Sequence, residues 1–116
     1  MTIQYKNQGF KQAGTGKTTV FTCPSNATVI IKSIYVANND GSSAILVNMN
    51  LVDSSDSSAE YEFFRDDVAA KTQVNAAPQG LNLEAGDSVT VAAASGSNKI
   101  QGAINYAQID RSQENG

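Results

Sequence analysis

The sequence predicts an all-β protein, an antiparallel two-layer sandwich of seven or eight short strands. Three observations predict it: β-branched and aromatic runs recur along the 116 residues, clusters of Gly, Pro, Asn, Asp and Ser separate them, and no segment combines helical periodicity with a capping pattern. The length suits one domain, with too little chain for two domains flanking a cleft.

The first sixteen residues read as an arm. Ile3, Tyr5 and Phe10 are spaced among Gln, Asn, Lys and Gly before Ala13-Gly14-Thr15-Gly16, and such an arm either adds an edge strand or reaches a neighbour. The sandwich domain is expected over residues 17–109, followed by a polar tail over 110–116. Thr18 to Cys23 forms a short strand that stops at Pro24-Ser25-Asn26, because proline cannot continue a central strand.

Ala27 to Ala37 is the most apolar strand, and Asn38-Asn39-Asp40-Gly41 ends it. The Asp-Gly pair predicts positive φ and a tight hairpin, which makes Ser43 to Val52 the antiparallel partner of this strand. Ile45, Val47, Met49 and Leu51 alternate with Leu46, Asn48 and Asn50 at the period of a half-buried sheet. Helix is rejected there because turns flank the segment and two asparagines fall in its middle.

After the polar loop Asp53 to Ser58, a strand through Tyr61 and Phe63 closes at Arg65-Asp66-Asp67. Val68 to Ala76 fits a weak strand or a helical turn, and strand is preferred. Leu81 and Leu83 precede the tight turn Glu84-Ala85-Gly86-Asp87, and Val89, Val91 and Ala93 alternate beyond it. Another turn, Ser95 to Asn98, leads to the last strand, with Ile100, Gly102, Ile104 and Tyr106 on one face.

The strand from Ala27 to Ala37 is apolar on both faces: Ile30, Ile34 and Val36 on one, Val29, Ile31 and Tyr35 on the other. Either a bulge swaps its faces in mid-strand, the arm covers one face, or a neighbouring subunit does. Candidate contacts with a neighbouring subunit are therefore Ile3, Tyr5, Phe10, Val29, Ile31 and Tyr35.

Chemistry finds little foothold. The chain has no histidine, which removes the usual general base near neutral pH, and the pairs Glu60/Glu62 and Asp66/Asp67 read as a solvated face. Ala13-Gly14-Thr15-Gly16-Lys17-Thr18-Thr19 looks like a phosphate-binding loop, but Lys11 stands where the pattern needs its first glycine and a β-branched run follows where it needs a helix. Asp40, Asp53 and Asp56 read as turn residues without calcium-site spacing. Cys23, the sole cysteine, reads as a small buried side chain, so no internal disulfide or ordinary zinc site is expected.

Catalytic residues, cofactors, metals and a small-molecule substrate are accordingly not expected. Formal net charge is −3 with scattered Lys and Arg, which argues against nucleic acid as a partner. The N-terminus lacks the apolar run of a signal peptide, and no stretch approaches a membrane helix, so a soluble, cytoplasmically made protein without membrane partners is expected.

Four segments together resemble small virion structural proteins of tailed bacteriophages: Phe21-Thr22-Cys23-Pro24, Ile31 to Asn38, Leu83 to Val89, and Ile104-Asn105-Tyr106-Ala107-Gln108-Ile109. The opening Ile3 to Phe10 is similar too, although Cys23 stands where an aliphatic residue is the pattern. The resemblance implies a jelly-roll-like or immunoglobulin-like sandwich that decorates or cements the capsid. Its partners would be the major capsid protein or other virion proteins, its state a homo-oligomer, and its location the virion after assembly in the host cytoplasm. The alternative it leaves open is a tail, baseplate or fibre component for host attachment, with glycan binding through Tyr61 or Phe64.

Overall fold

The computed structural model describes residues 2–12, 14–96 and 98–110. Among them are nine strands: β1 (Thr2–Gln12), β2 (Thr18–Thr22), β3 (Ala27–Asn38), β4 (Ile45–Asp53), β5 (Ala59–Val68), β6 (Gln73–Asn75), β7 (Leu81–Leu83), β8 (Ser88–Ala93) and β9 (Ile100–Asp110), with one 3-10 turn at Ser54–Asp56. The expected tail over 110–116 lies, apart from Asp110, outside the described residues.

All strand pairs are antiparallel. One sheet runs β1-β9-β3-β6, with β7 also on β3, and the other runs β2-β8-β4-β5. The pairs are nested: β4 with β5 innermost, then β3 with β6 and β7, β2 with β8, and β1 with β9. A long double strand has thus been rolled up until β9 also meets β3 and β8 also meets β4. This is jelly-roll order, so the predicted all-β two-layer sandwich is the fold observed, and of its two variants the jelly roll.

The nesting overturns the predicted pairing of 27–37 with 43–52. β3 and β4 lie in opposite sheets, and the loop between them crosses the sandwich. Gly41 is not among the positive-φ residues, so Asp40-Gly41 makes no tight hairpin. Instead, the Asp40 carboxylate accepts hydrogen bonds from the backbone N–H groups of Ser42 and Ser43, which hold it below the usual carboxylate range. Buried Asn38 anchors the crossing: its amide donates to the carbonyls of Ser43 and Val68, and its side-chain oxygen accepts from Asp40 N.

Of the two roles open to the first residues, Thr2–Gln12 take that of an edge strand, paired with β9 from Thr2↔Asp110 to Gln12↔Ile100 without a break. Within the segment 68–76, Val68 ends β5 and the only further strand is Gln73–Asn75, because Lys71 takes positive φ and turns the chain just before it. The turn before β8 is as predicted, with Gly86 at φ +85 and Asp87 N donating to Glu84 O. The Asp87 carboxylate, also buried, accepts from the N–H groups of Ser54 and Glu84 and from the Ser54 hydroxyl, joining this turn to the β4–β5 connection.

β3 settles its two apolar faces by a bulge. Its register with β9 shifts between Ile31 and Ser33, leaving Lys32 as the extra residue. Before the bulge, Val29 and Ile31 point inward; after it, Ile34 and Val36 do, and all four are fully buried. They pack on Ile45, Val47 and Met49 of β4, Val89 and Val91 of β8, and Leu83, Ile100 and Ile104. Phe21 of β2 and Tyr106 of β9 meet edge to face at 4.7 Å, tying the sheets together at one margin.

Gly102 is required by close approach. A Cβ there would stand 2.0 Å from the Tyr35 carbonyl oxygen and 2.5 Å from the Phe10 ring, which lies across the strand on the same face. Gly102→Ala should therefore cost about 3 kcal/mol of unfolding free energy by overpacking against backbone. Urea titration followed by circular dichroism checks it, and a loss below about 0.5 kcal/mol would show that β9 can draw away from the β3 backbone and from Phe10 at no cost.

Candidate interaction surface

The β1-β9-β3 register places a defined set of side chains on the outer face of that sheet. Ile3, Ile109 and Thr28 form one row across the three strands, and Tyr5, Ala107 and Ile30 form the next. Tyr5 is 77% exposed, Ile3 51% and Ile30 41%, so three large apolar groups from two strands flank the less exposed β9 residues. The Lys32 ammonium sits 5.0 Å from the centre of the Tyr5 ring, a cation–π contact that the bulge makes possible by turning Lys32 outward. Farther along, Asn105 donates to the Ser33 hydroxyl, and Tyr35 is 43% exposed beyond it.

Among the predicted contact residues, Ile3, Tyr5 and Tyr35 are exposed on this face. Val29 and Ile31 are not available to any partner, because the bulge at Lys32 commits both to the core. Phe10 is half-buried and packs against the core beside Gly102. Two members of the patch, Ile30 and Ile109, were not among the predicted contacts. Strict alternation put Ile30 on the side of Ile34, and only the bulge separates them.

The opposite sheet presents a different outer surface. Lys17 Nζ lies 2.5 Å from Glu60 Oε2, and the Asn50 amide donates to the other carboxylate oxygen. Bonding to Lys17 and then to Asn50 holds the Glu60 carboxyl below its ordinary value. Glu62 pairs with Arg65 at 2.7 Å. Lys17 thus leads into β2 with its charge engaged by a carboxylate, and a strand follows the glycine-rich segment where a phosphate loop has a helix. Ala13 of that motif lies outside the described residues.

The other candidate positions are turn or sheet groups. Asp53 accepts from the backbone N–H and hydroxyl of Ser55, and Asp56 accepts from the Tyr61 hydroxyl at 2.6 Å, which raises the Tyr61 phenol above its usual value. No group of three or more metal-ligating side chains occurs among the described residues. Phe64 is not the exposed aromatic the glycan reading needs; it faces Met49 across the β4–β5 pair and packs on the core. Cys23 is buried, with its thiol near the carbonyls of Ala27 and Leu83.

No protein-family model matches the chain, and no curated protein matches it in sequence. Solved structures align with most of this chain. A chain of the Bacillus endospore appendages, described as disulfide-linked pili, aligns over 96% of this chain and 88% of its own at 13% identity and a TM-score of 0.54. The capsid structure of Helicobacter pylori bacteriophage KHP30 aligns over 97% and 90% at 13% identity and 0.48. A chain of infectious bursal disease virus, Gt strain, aligns over 94% of this chain but 33% of its own, at 6% identity and 0.45.

The Lys17–Glu60 pair gives a pH-dependent signature. A depressed carboxyl keeps the pair ionised above the ordinary carboxylate range and loses it as pH falls through the lowered folded value. An NMR titration of the Glu60 side chain should show a midpoint below that of a free glutamate, and Lys17→Ala should raise it. An unchanged midpoint in the variant would contradict the pairing.

Proposed function

We propose that this chain is a non-enzymatic structural protein of a virus particle, one that decorates or cements the capsid of a tailed bacteriophage by protein–protein contacts. The observation that carries the reading is the outer-face patch of Ile3, Tyr5, Ile30 and Ile109, since contiguous exposed apolar groups on a small sandwich mark an interaction site. The jelly-roll body and the resemblance of its strand and turn segments to phage virion proteins support it. The partners are the major capsid protein or other virion proteins, and the location is the virion, reached after assembly in the host cytoplasm. Weak contacts repeated by particle symmetry would add through multivalency.

A tail, baseplate or fibre role with glycan binding has less behind it, because Phe64 packs inward and the Tyr61 hydroxyl is engaged by Asp56. The pilus-like fold does not bring disulfide linkage with it, since the sole cysteine of this chain is buried.

The test is cosedimentation with mature particles of the virus that encodes the protein. Binding should saturate at a fixed copy number. Deleting residues 1–10 would unzip β1 from β9, so the informative variant is the double exchange Ile3→Ser with Tyr5→Ser, which leaves the strand backbone in place. Each side chain is worth about 1.5–3 kcal/mol when fully buried, so the pair should weaken binding at least roughly tenfold with folding unchanged. Absence of saturable binding, or full binding by the double variant, would contradict the proposal.

A further inference from the structure

The four margins of the sandwich differ in how they are closed to further strands. β5 carries Glu60, Glu62, Arg65, Asp66 and Asp67, and its register with β4 shifts at Phe63. β2 is five residues long and shifts register at Val20, and β6 and β7 are three residues each. Short length, charge and bulges are the devices that keep edges from pairing. β1 has eleven residues in unbroken register and no proline, its only charges are Lys6 and Lys11, which leave Ile3, Tyr5, Asn7 and Gly9 of the open side uncharged, and no described strand lies beyond it.

The direction of its backbone groups follows from the ladder. The Ile34 N–H donates to the Asn75 side chain and its carbonyl accepts from Ala76 N, so even-numbered residues of β3 beyond the bulge face β6. Tyr35 and Ala37 then face β9, whose even-numbered residues must face β1, where they meet the even-numbered residues of β1. Ile3, Tyr5, Asn7, Gly9 and Lys11 therefore turn their N–H and C=O groups to the open side.

We propose that this edge pairs with the same edge of a second copy, antiparallel about a twofold axis through Asn7. This register uses the whole strand: Ile3 opposes Lys11, Tyr5 opposes Gly9, and Asn7 opposes itself, giving about ten hydrogen bonds, five donated by each copy. On the outer face, the exposed Tyr5 ring lies over Gly9 of the other copy, as Phe10 already lies over Gly102 within the chain. The stem of Lys11 covers Ile3, and the two Asn7 side chains meet. Lys6 opposes Gln8, so no like charges face each other, whereas a shift centred on Lys6 would set the two lysines face to face. The charges thus disfavour that shift, and use of the full strand length favours the register through Asn7 over shifts that leave one end unpaired. Two sheets join into one, with the Ile3 and Tyr5 patches on the same continuous face.

The inference does not rest on the virion reading. Eleven residues a side is below the roughly 20–30 of a standard interface, so the dimer should form only at high concentration. Sedimentation equilibrium and NMR amide exchange between about 10 μM and about 1 mM test it in the full chain. Dimer should accumulate with concentration, and protection should rise at residues 3, 5, 7, 9 and 11 but not change at 4, 6, 8 and 10. Asn7→Pro removes one edge-facing N–H and none directed at β9, and should weaken the dimer at least tenfold.

Asn7→Cys should oxidise to a disulfide dimer, while Gly9→Cys, whose Cβ has ordinary contact with Gly102 O at 3.8 Å, should not. A monomer at every concentration would overturn the inference. So would equal cross-linking of both cysteine variants, a dimer whose protection lies on another strand, or pairing of β1 only with a strand of a different protein.

Discussion

The single extra residue at Lys32 decides what this molecule hides and what it shows. A twelve-residue strand of unbroken pleat would hold Val29, Ile31 and Tyr35 on one side and Ile30, Ile34 and Val36 on the other, leaving large apolar groups in water whichever face met the core. The bulge inverts the alternation once. Four β-branched side chains then face inward along the full length of the strand, and Ile30, Lys32 and Tyr35 turn out. The core and the exposed patch are two consequences of one register shift. Lys32 itself is placed where its charge can meet the face of Tyr5, two strands away.

Around that strand the remaining constraint is long-range. The nested pairing brings Thr2 against Asp110 and Thr22 against Ser88, while the two strands adjacent in sequence across Asp40-Gly41 lie in different sheets. Buried polar groups hold the crossings. Asn38 satisfies the chain where it passes from β3 to β4, and Asp87 binds the turn before β8 to the connection after β4. Removing either would strand several buried donors or acceptors at once, which is why a loop crossing can be as specific as a strand.

Legibility in the sequence followed the range of the interaction. The positions of β2 to β5, β8 and β9 were readable because alternation and turn residues are local, and the Gly86 turn was legible in full, whereas 68–76 holds strand only at Val68 and Gln73–Asn75. Pairing was not. Asp40-Gly41 resembles a hairpin turn, but its carboxylate serves a wider loop, and nothing within ten residues reveals that β3 prefers β9. For the candidate surface, Ile3, Tyr5 and Tyr35 could be read from exposed-looking spacing, whereas Val29 and Ile31 were misplaced and Ile30 and Ile109 missed. A face assignment fails everywhere beyond an unseen bulge.

The outer face of the β1-β9-β3 sheet and the open edge of β1 share Ile3 and Tyr5, so face and edge form one continuous surface, while the other sheet is covered by the Lys17–Glu60 and Glu62–Arg65 pairs. The central claim is that this apolar surface, and not the charged one, meets other protein on a virus particle. A density map of the intact particle at side-chain resolution tests it most directly. The account predicts Tyr5 and Ile30 buried against a neighbouring subunit; a map with that face in solvent, and attachment through the Lys17–Glu60 side, would contradict it.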